Sequence, residues 1–393
     1  MKLTGYSTTT TLSLGLLFAS LACGSQREPA RQVRAASGGK SELEMVFVLD
    51  TTGSMGGLLD GAKQKIWSIV NDVMKTPAHP KVRIGLVAYR DHGDAYVTKT
   101  LPLTDDLDKV YSTLMEYRAQ GGGDTPEDVR QALADGVHKA GWAPRGPQRA
   151  QILFLVGDAP PHDDYLQEPD TLTSTAEAVM SGIIVNTIEC GGAEDTRVAW
   201  QKICARGEGQ FFQIAQDGGV RAIATPFDAT LSRLGTKVGS TYLAYGGAGM
   251  GGGGRSFRAG KAAAQSSLEA GISARAPMGA QADRAVNKAI NSRSYDDSDL
   301  LQGVENGTIK LETLKADDLP DEFKKLSPEE RKKEVAKRLA ERKALRTEIL
   351  TLSQKRDAFI SEARKKQGGG TTAFDSAVSS AIRSQAARRG IKF

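Results

Sequence analysis

Glu44-Met45-Val46-Phe47-Val48-Leu49-Asp50-Thr51-Thr52-Gly53-Ser54 is a nearly continuous apolar run that ends in a carboxylate and, at alternate positions after it, the hydroxyls of Thr52 and Ser54, with Thr51 between. Alternation of apolar and polar residues would mark a strand with one wet face; its absence here predicts a parallel strand buried on both faces. Comparable runs recur at Val82 to Tyr89, Gln151 to Gly157, Ile183 to Glu189 and Gln210 to Ile214, all rich in β-branched and aromatic residues. Helical patterns fill the gaps: Leu58 to Met74, Leu107 to Tyr117, Thr125 to Ala140, Ser174 to Met180, Thr196 to Ala205 and Val220 to Leu234. Strand and helix in alternation predict an α/β fold, a doubly wound and mostly parallel sheet, with Ala95 to Leu103 as an antiparallel edge strand.

The chain has 393 residues, more than one hydrophobic core usually organises. The α/β domain is placed at residues 43–236. Glycine is abundant, with 43 residues against a usual share of about 7%, and it clusters at Gly246-Gly247 and Gly251 to Gly254. Residues 237–283 therefore read as a Gly/Ala-rich flexible linker. Residues 284–393 read as a charged α-helical region. In it Ser327, Pro328 and Glu330 form a capping box that opens a helix running to about Lys366. Val335, Leu339, Leu345, Ile349, Leu352, Phe359, Ile360 and Ala363 make a narrow apolar stripe along it. Arg342 and Arg356 interrupt the stripe where a strict heptad seam wants apolar residues. The expectation is a helix docked on a partner or on its own domain, with a coiled coil and a helix-mediated oligomer as the alternative. A short helix from about Phe374 to Arg388 closes the chain.

Lys2, the apolar stretch Leu12 to Leu21 and the small residues before Cys23 predict a secretory signal over residues 1–23, too short to span a bilayer comfortably. Ser20-Leu21-Ala22-Cys23 resembles a bacterial lipobox, although Ser20 stands where a large aliphatic residue is usual. That resemblance implies lipidation of Cys23 and a membrane-anchored, exported protein at the periplasmic or cell-surface face. Residues 24–42 then serve as a flexible tether. Export permits disulfides, and Cys190 with Cys204 is the candidate pair. The net charge of +5 is spread too thinly to make nucleic acid a partner.

In open parallel sheets, ligands gather beyond the carboxyl ends of the strands where the strand order reverses. Asp50, Thr52 and Ser54 sit there at alternate positions of one tight loop, and oxygen donors of this kind suit a hard cation. The loop resembles the metal-ion-dependent adhesion site of the von Willebrand factor A family, in which an Asp-x-Ser-x-Ser loop is joined by a distant threonine and a distant aspartate. Thr125 in Gly121-Gly122-Gly123-Asp124-Thr125-Pro126 and Asp158 in Leu155-Val156-Gly157-Asp158 match those two parts. Thr52 replaces the commoner serine and keeps the hydroxyl. Asp124 adds an acid that many relatives lack. The resemblance implies a Rossmann-like fold and a divalent cation, Mg2+ foremost and Mn2+ or Ca2+ otherwise. It also implies a protein ligand that presents an Asp or Glu to the metal. Arg90, His92, Asp94, His162 and Asp163, on neighbouring loops, are candidates with Asp124 for ligand recognition; solvated turn residues are the plainer explanation.

The leading expectation is a surface-anchored, metal-dependent binding module, not an enzyme. Cytoplasmic regulation of a ring ATPase and metal-dependent hydrolysis are the alternatives. No nucleophile-base arrangement, Walker loop or paired-metal acid cluster supports catalysis.

Overall fold

The computed structural model describes residues 41–76, 79–219, 222–247, 254–366 and 373–391. The signal segment, Cys23 and all but the end of the tether lie outside the described residues. In chain order the domain runs β1 (Glu42–Asp50), α1 (Gly56–Met74), β2 (Lys81–Tyr89), β3 (Thr98–Thr104), α2 (Leu107–Glu116), α3 (Val129–His138), β4 (Arg149–Gly157), α4 (Thr171–Met180), β5 (Ile184–Cys190), α5 (Glu194–Arg206) and β6 (Glu208–Ile214). There follow α6 (Asp228–Gly239), α7 (Gly254–Arg275), α8 (Met278–Ile290), α9 (Leu300–Glu305), α10 (Pro328–Lys366) and α11 (Ala373–Ala387).

The six strands form one sheet in the order β3-β2-β1-β4-β5-β6, parallel except for the antiparallel edge strand β3. The order reverses between β1 and β4, whose register pairs Leu49 with Val156. The switch point thus lies at Asp50 and Gly157. Side-chain alternation sends Met45, Phe47 and Leu49 of β1 into one core, with α1, α2 and α11, and Val46 and Val48 into the other, with α3 and α5. Both faces are covered, which is why β1 reads as an unbroken apolar run.

The cover on the first face comes partly from the far end of the chain. Phe374, Ala377, Val378, Ala381, Ile382 and Ala386 of α11, with Ile391, join the core of β1 and β4. Buried Asn186 on β5 and Gln385 on α11 exchange two amide hydrogen bonds, of 3.0 and 2.5 Å. The helical region is therefore part of the fold rather than an appendage, and Lys40–Phe393 makes one compact unit.

The linker expectation for residues 237–283 is corrected over most of its length. Residues 254–275 form α7, because Ala262-Ala263-Ala264 and their neighbours are strong helix formers. Small residues also let α7 approach its neighbours: a Cβ at Gly239 would stand 2.6 Å from the Glu269 carboxylate. Glu269 in turn binds buried Arg284 of α8 at 2.7 and 2.9 Å, and Arg284 reaches Asp108 of α2. On α10, the two arginines that interrupt the apolar stripe are buried anchors. Arg342 is fully buried and binds Asp299 at 2.6 Å, and Arg356 binds Asp228 and Asp283 at 2.7 Å each. The helix docks on its own chain, and its apolar side packs through Ile349 on α6 and α8 and through Val335 on α9. No helix among the described residues is long and apolar enough to cross a membrane.

Cys190 and Cys204 are both free, contrary to the expected pairing. Cys190 belongs to the core on the α1 and α11 face, whereas Trp200 and Ile203 place α5 on the other face. The sheet stands between the two thiols. Cys204 is satisfied locally by a hydrogen bond to the Gln201 carbonyl at 3.3 Å.

Candidate metal site at the strand switch point

Asp50 is the last residue of β1 and is fully buried. Its Oδ1 accepts the Thr52 amide at 2.8 Å and the Thr52 hydroxyl at 2.7 Å, which fixes the tight loop. The Thr52 hydroxyl lies 3.5 Å from that of Ser54, so the expected carboxylate and two hydroxyls stand together. Asp50 Oδ2 is buried and has no hydrogen-bond partner. A buried carboxylate oxygen without a donor is costly unless something positive meets it.

Across the switch point Asp158 follows β4, and its Oδ2 accepts the Gln216 side-chain amide at 2.6 Å. Burial pushes the Asp50 carboxyl up to about 7, against the Thr52 hydrogen bonds, and the Asp158 charge pushes it further in the same direction. Between the two aspartates the backbone must come close. A Cβ on Gly157 would collide with the Tyr89 hydroxyl and stand 3.1 Å from Asp50 Oδ2. The Tyr89 hydroxyl is also buried and unpartnered.

Thr125 lies in an exposed loop and makes no hydrogen bond to Asp50, Thr52, Ser54 or Asp158; the loop that carries it abuts theirs, the Gly53 amide donating to the Gly121 carbonyl at 3.2 Å. The acid that this segment delivers to the site is Glu127, two residues on. A Cβ on Gly122 would stand 3.2 Å from Glu127 Oε1 and 3.4 Å from the Thr52 Cβ, which sets Glu127 beside the loop. Glu127 Oε2 is buried without a partner. Burial pushes the Glu127 carboxyl up to about 9, with Asp50, Asp91, Asp94 and Asp158 adding to the shift. The reason is local: Glu127 pairs with the chain after β4, donating its amide to the Pro160 carbonyl and accepting the His162 amide, and this holds it inward. Helix α3 begins only at Val129, where Asp128 caps it by accepting the Gln131 amide at 2.8 Å. No spacing in the sequence marks Gln216 or Tyr89.

The other candidates have mixed roles. Arg90 is buried and donates to the Thr51 and Arg118 carbonyls at 3.2 and 2.8 Å, so it braces the loops rather than facing a ligand. Asp94 accepts the Gly122 amide at 3.1 Å. Asp124 and Asp163 are exposed, and His92 is partly exposed against Glu168 at 2.9 Å. His162 is buried beside Asp91.

Three neighbouring carboxylates, two with orphaned buried oxygens, fit a divalent cation, and the all-oxygen donor set of Asp50, Thr52, Ser54, Thr125 and Asp158, with Glu127 beside it, suits magnesium. The fold defines a doubly wound α/β domain, and the carboxyl ends of its strands are the candidate functional surface. Residues 44–226 match the family model described as von Willebrand factor A domain, and the chain carries a domain of that family. Among curated proteins, it is similar to von Willebrand factor A domain-containing protein 7 of Mus musculus, 41% identical over 120 residues, 30% of this chain and 12% of that protein. It is also similar to the putative ariadne-like RING finger protein R811 of Acanthamoeba polyphaga mimivirus, 30% identical over 139 residues, 33% of this chain and 13% of that one. The match thus spans about an eighth of the length of these relatives. Among solved structures, proximal thread matrix protein 1 from the mussel byssus is 13% identical with a TM-score of 0.34, covering 45% of this chain and 43% of its own. The SpRpn10 VWA domain is 15% identical with a TM-score of 0.33, covering 45% of this chain and 89% of its own.

Proposed function

We propose that this protein is a surface-anchored binding module that captures a partner protein through a divalent cation, foremost Mg2+. A von Willebrand factor A domain points to protein interaction or scaffolding. The observation that carries the metal-dependent reading is the orphaned, buried Asp50 Oδ2 at the switch point, with Asp158 and Glu127 beside it. Asp50, Thr52, Ser54, Thr125 and Asp158 would hold the ion, with Glu127 beside them. The bound cation would supply a positive centre for an Asp or Glu of the partner, while Gln216 orients Asp158 and Gly157 leaves the space open. An acid shared in this way makes affinity depend on both the metal and that one residue. Anchoring is proposed through Cys23 of the lipobox-like segment, and no catalytic role is assigned.

The test is capture of a partner by the immobilised full chain in magnesium buffer. Retention that is reversed by EDTA and lost with Asp50→Ala supports the reading. Retention that persists in EDTA, or in a folded Asp50→Ala variant, contradicts it.

A further inference from the structure

Beside the switch point stands a second group of donors with different chemistry. His162, on the loop after β4, is only 7% exposed. Its Nδ1 lies 2.8 Å from Asp164 Oδ1, an acceptor that takes the Nδ1 proton and leaves Nε2 presenting its lone pair. Nε2 is buried and makes no hydrogen bond. It faces Asp91 Oδ2 at 3.4 Å and Asp124 Oδ2 at 3.9 Å. With the proton on Nδ1, three acceptors are directed at one point, two of them on buried side chains, and either a proton on Nε2 or a metal cation between them relieves their repulsion.

We propose that Asp91, Asp124 and His162 form a second metal site that takes a zinc-type divalent cation. One imidazole and two carboxylates are a donor set for zinc, which accepts nitrogen at about 2.0–2.1 Å and oxygen at about 2.0–2.2 Å. Tetrahedral ligands on bonds of that length lie about 3.3 Å apart. The Nε2 to Asp91 separation matches, and Asp124, with its side chain 63% exposed, closes the remainder by a rotamer change. The outer contacts are those a metal-bound imidazole commonly has: a carboxylate on the far nitrogen fixes its tautomer and orientation. Asp91 is held as well, since the Tyr165 hydroxyl donates to its two oxygens at 2.9 and 3.1 Å. The Tyr165 ring stacks on His162 at 4.1 Å and, with its other face, on His92 at 4.2 Å. The His92, Asp128 and Glu168 group beyond it is not chosen, because His92 Nε2 already pairs with Glu168 at 2.9 Å. Asp124 leaves the proposed site open to water or to a ligand on the same surface as Asp50. No ligand is shared with the magnesium-type site, so the two proposals stand or fall separately.

The experiment is a Zn2+ titration by calorimetry of the chelator-stripped, untagged full chain in saturating Mg2+, repeated with Co2+ and read by visible absorption. The expected result is one zinc bound by wild type in the presence of magnesium. Binding is lost in His162→Ala, weakened at least tenfold in Asp124→Asn and weakened roughly ten- to a hundredfold in Asp164→Asn. Asp124 is exposed, so its variant keeps the test decisive if His162→Ala fails to fold. Asp50→Ala, which removes magnesium binding, retains the zinc. Absence of zinc binding in wild type, its displacement by magnesium, or its survival at full strength in both His162→Ala and Asp124→Asn overturns the site. Loss with His92→Ala alone places the ion in the neighbouring group and overturns it too.

Discussion

Asp50 and Glu127 are held in the fold with carboxyls pushed up, by burial first, to about 7 and about 9. Folded values above the ordinary ones of 3.8 and 4.5 favour the protonated folded state. That contribution is fully present below about pH 4 and is lost as pH rises through 7 and then 9. A cation at the site removes the penalty. The rise in melting temperature on adding magnesium is therefore larger at about pH 8 than at about pH 6, and Asp50→Asn abolishes the difference. A magnesium effect independent of pH in wild type contradicts the coupling. Gly157 is the second residue with a specific demand, since any Cβ meets Tyr89 and crowds Asp50. Gly157→Ala costs about 1–3 kcal/mol in urea unfolding and weakens magnesium binding. Asp50, Thr52, Ser54 and Asp158 were legible in the sequence because a strand end fixes where its next residue lies. Glu127 was not found, because it is held at the site by a bridge to the loop after β4. Such a long-range contact leaves no local periodicity to read.

The elements were legible in proportion to how far burial imprints a pattern. The central strands β1, β2, β4 and β5, buried on both faces, announce themselves as apolar runs; the half-exposed edge strands β3 and β6 were found as well. Helix α7 was read as linker because its Ala, Gly and Ser carry no amphipathic stripe; its position is set by Arg258 and Glu269, whose partners lie elsewhere in the chain. Arg342 and Arg356 looked like interruptions of α10 for the same reason, since a buried ion pair is defined by its partner. Removing one member of such a pair strands the other. Asp299→Ala costs about 3–5 kcal/mol in urea unfolding, whereas joint replacement of Arg342 and Asp299 by apolar residues of similar size costs much less. Equal losses in the single and joint variants contradict this account of α10.

At the scale of the whole molecule, the helical region completes the domain instead of trailing from it. The core on the α1 face of the sheet is closed by α11, and α8 links α1 to α10: the Asn71 amide donates to the Asp283 carbonyl at 2.8 Å, and Asp283 binds Arg356. A chain ending after residue 366 loses Phe374, Val378 and Ile382 from that core, and each such side chain buried is worth about 1.5–3 kcal/mol. It is expected to aggregate or to bind a hydrophobic dye. A monomeric product with unchanged melting temperature contradicts an integral α11. Binding measurements therefore belong on the full chain, because residues 43–236 lack both α11 and α8.

The central claim is that the carboxyl ends of β1 and β4 jointly hold one divalent cation. Calorimetric titration of magnesium into the full chain, for wild type, Asp50→Ala and Asp158→Ala with the folded state of each verified, tests it most directly. One magnesium bound by wild type and none by either variant is the predicted result; no binding by wild type, or binding that survives both changes, contradicts it.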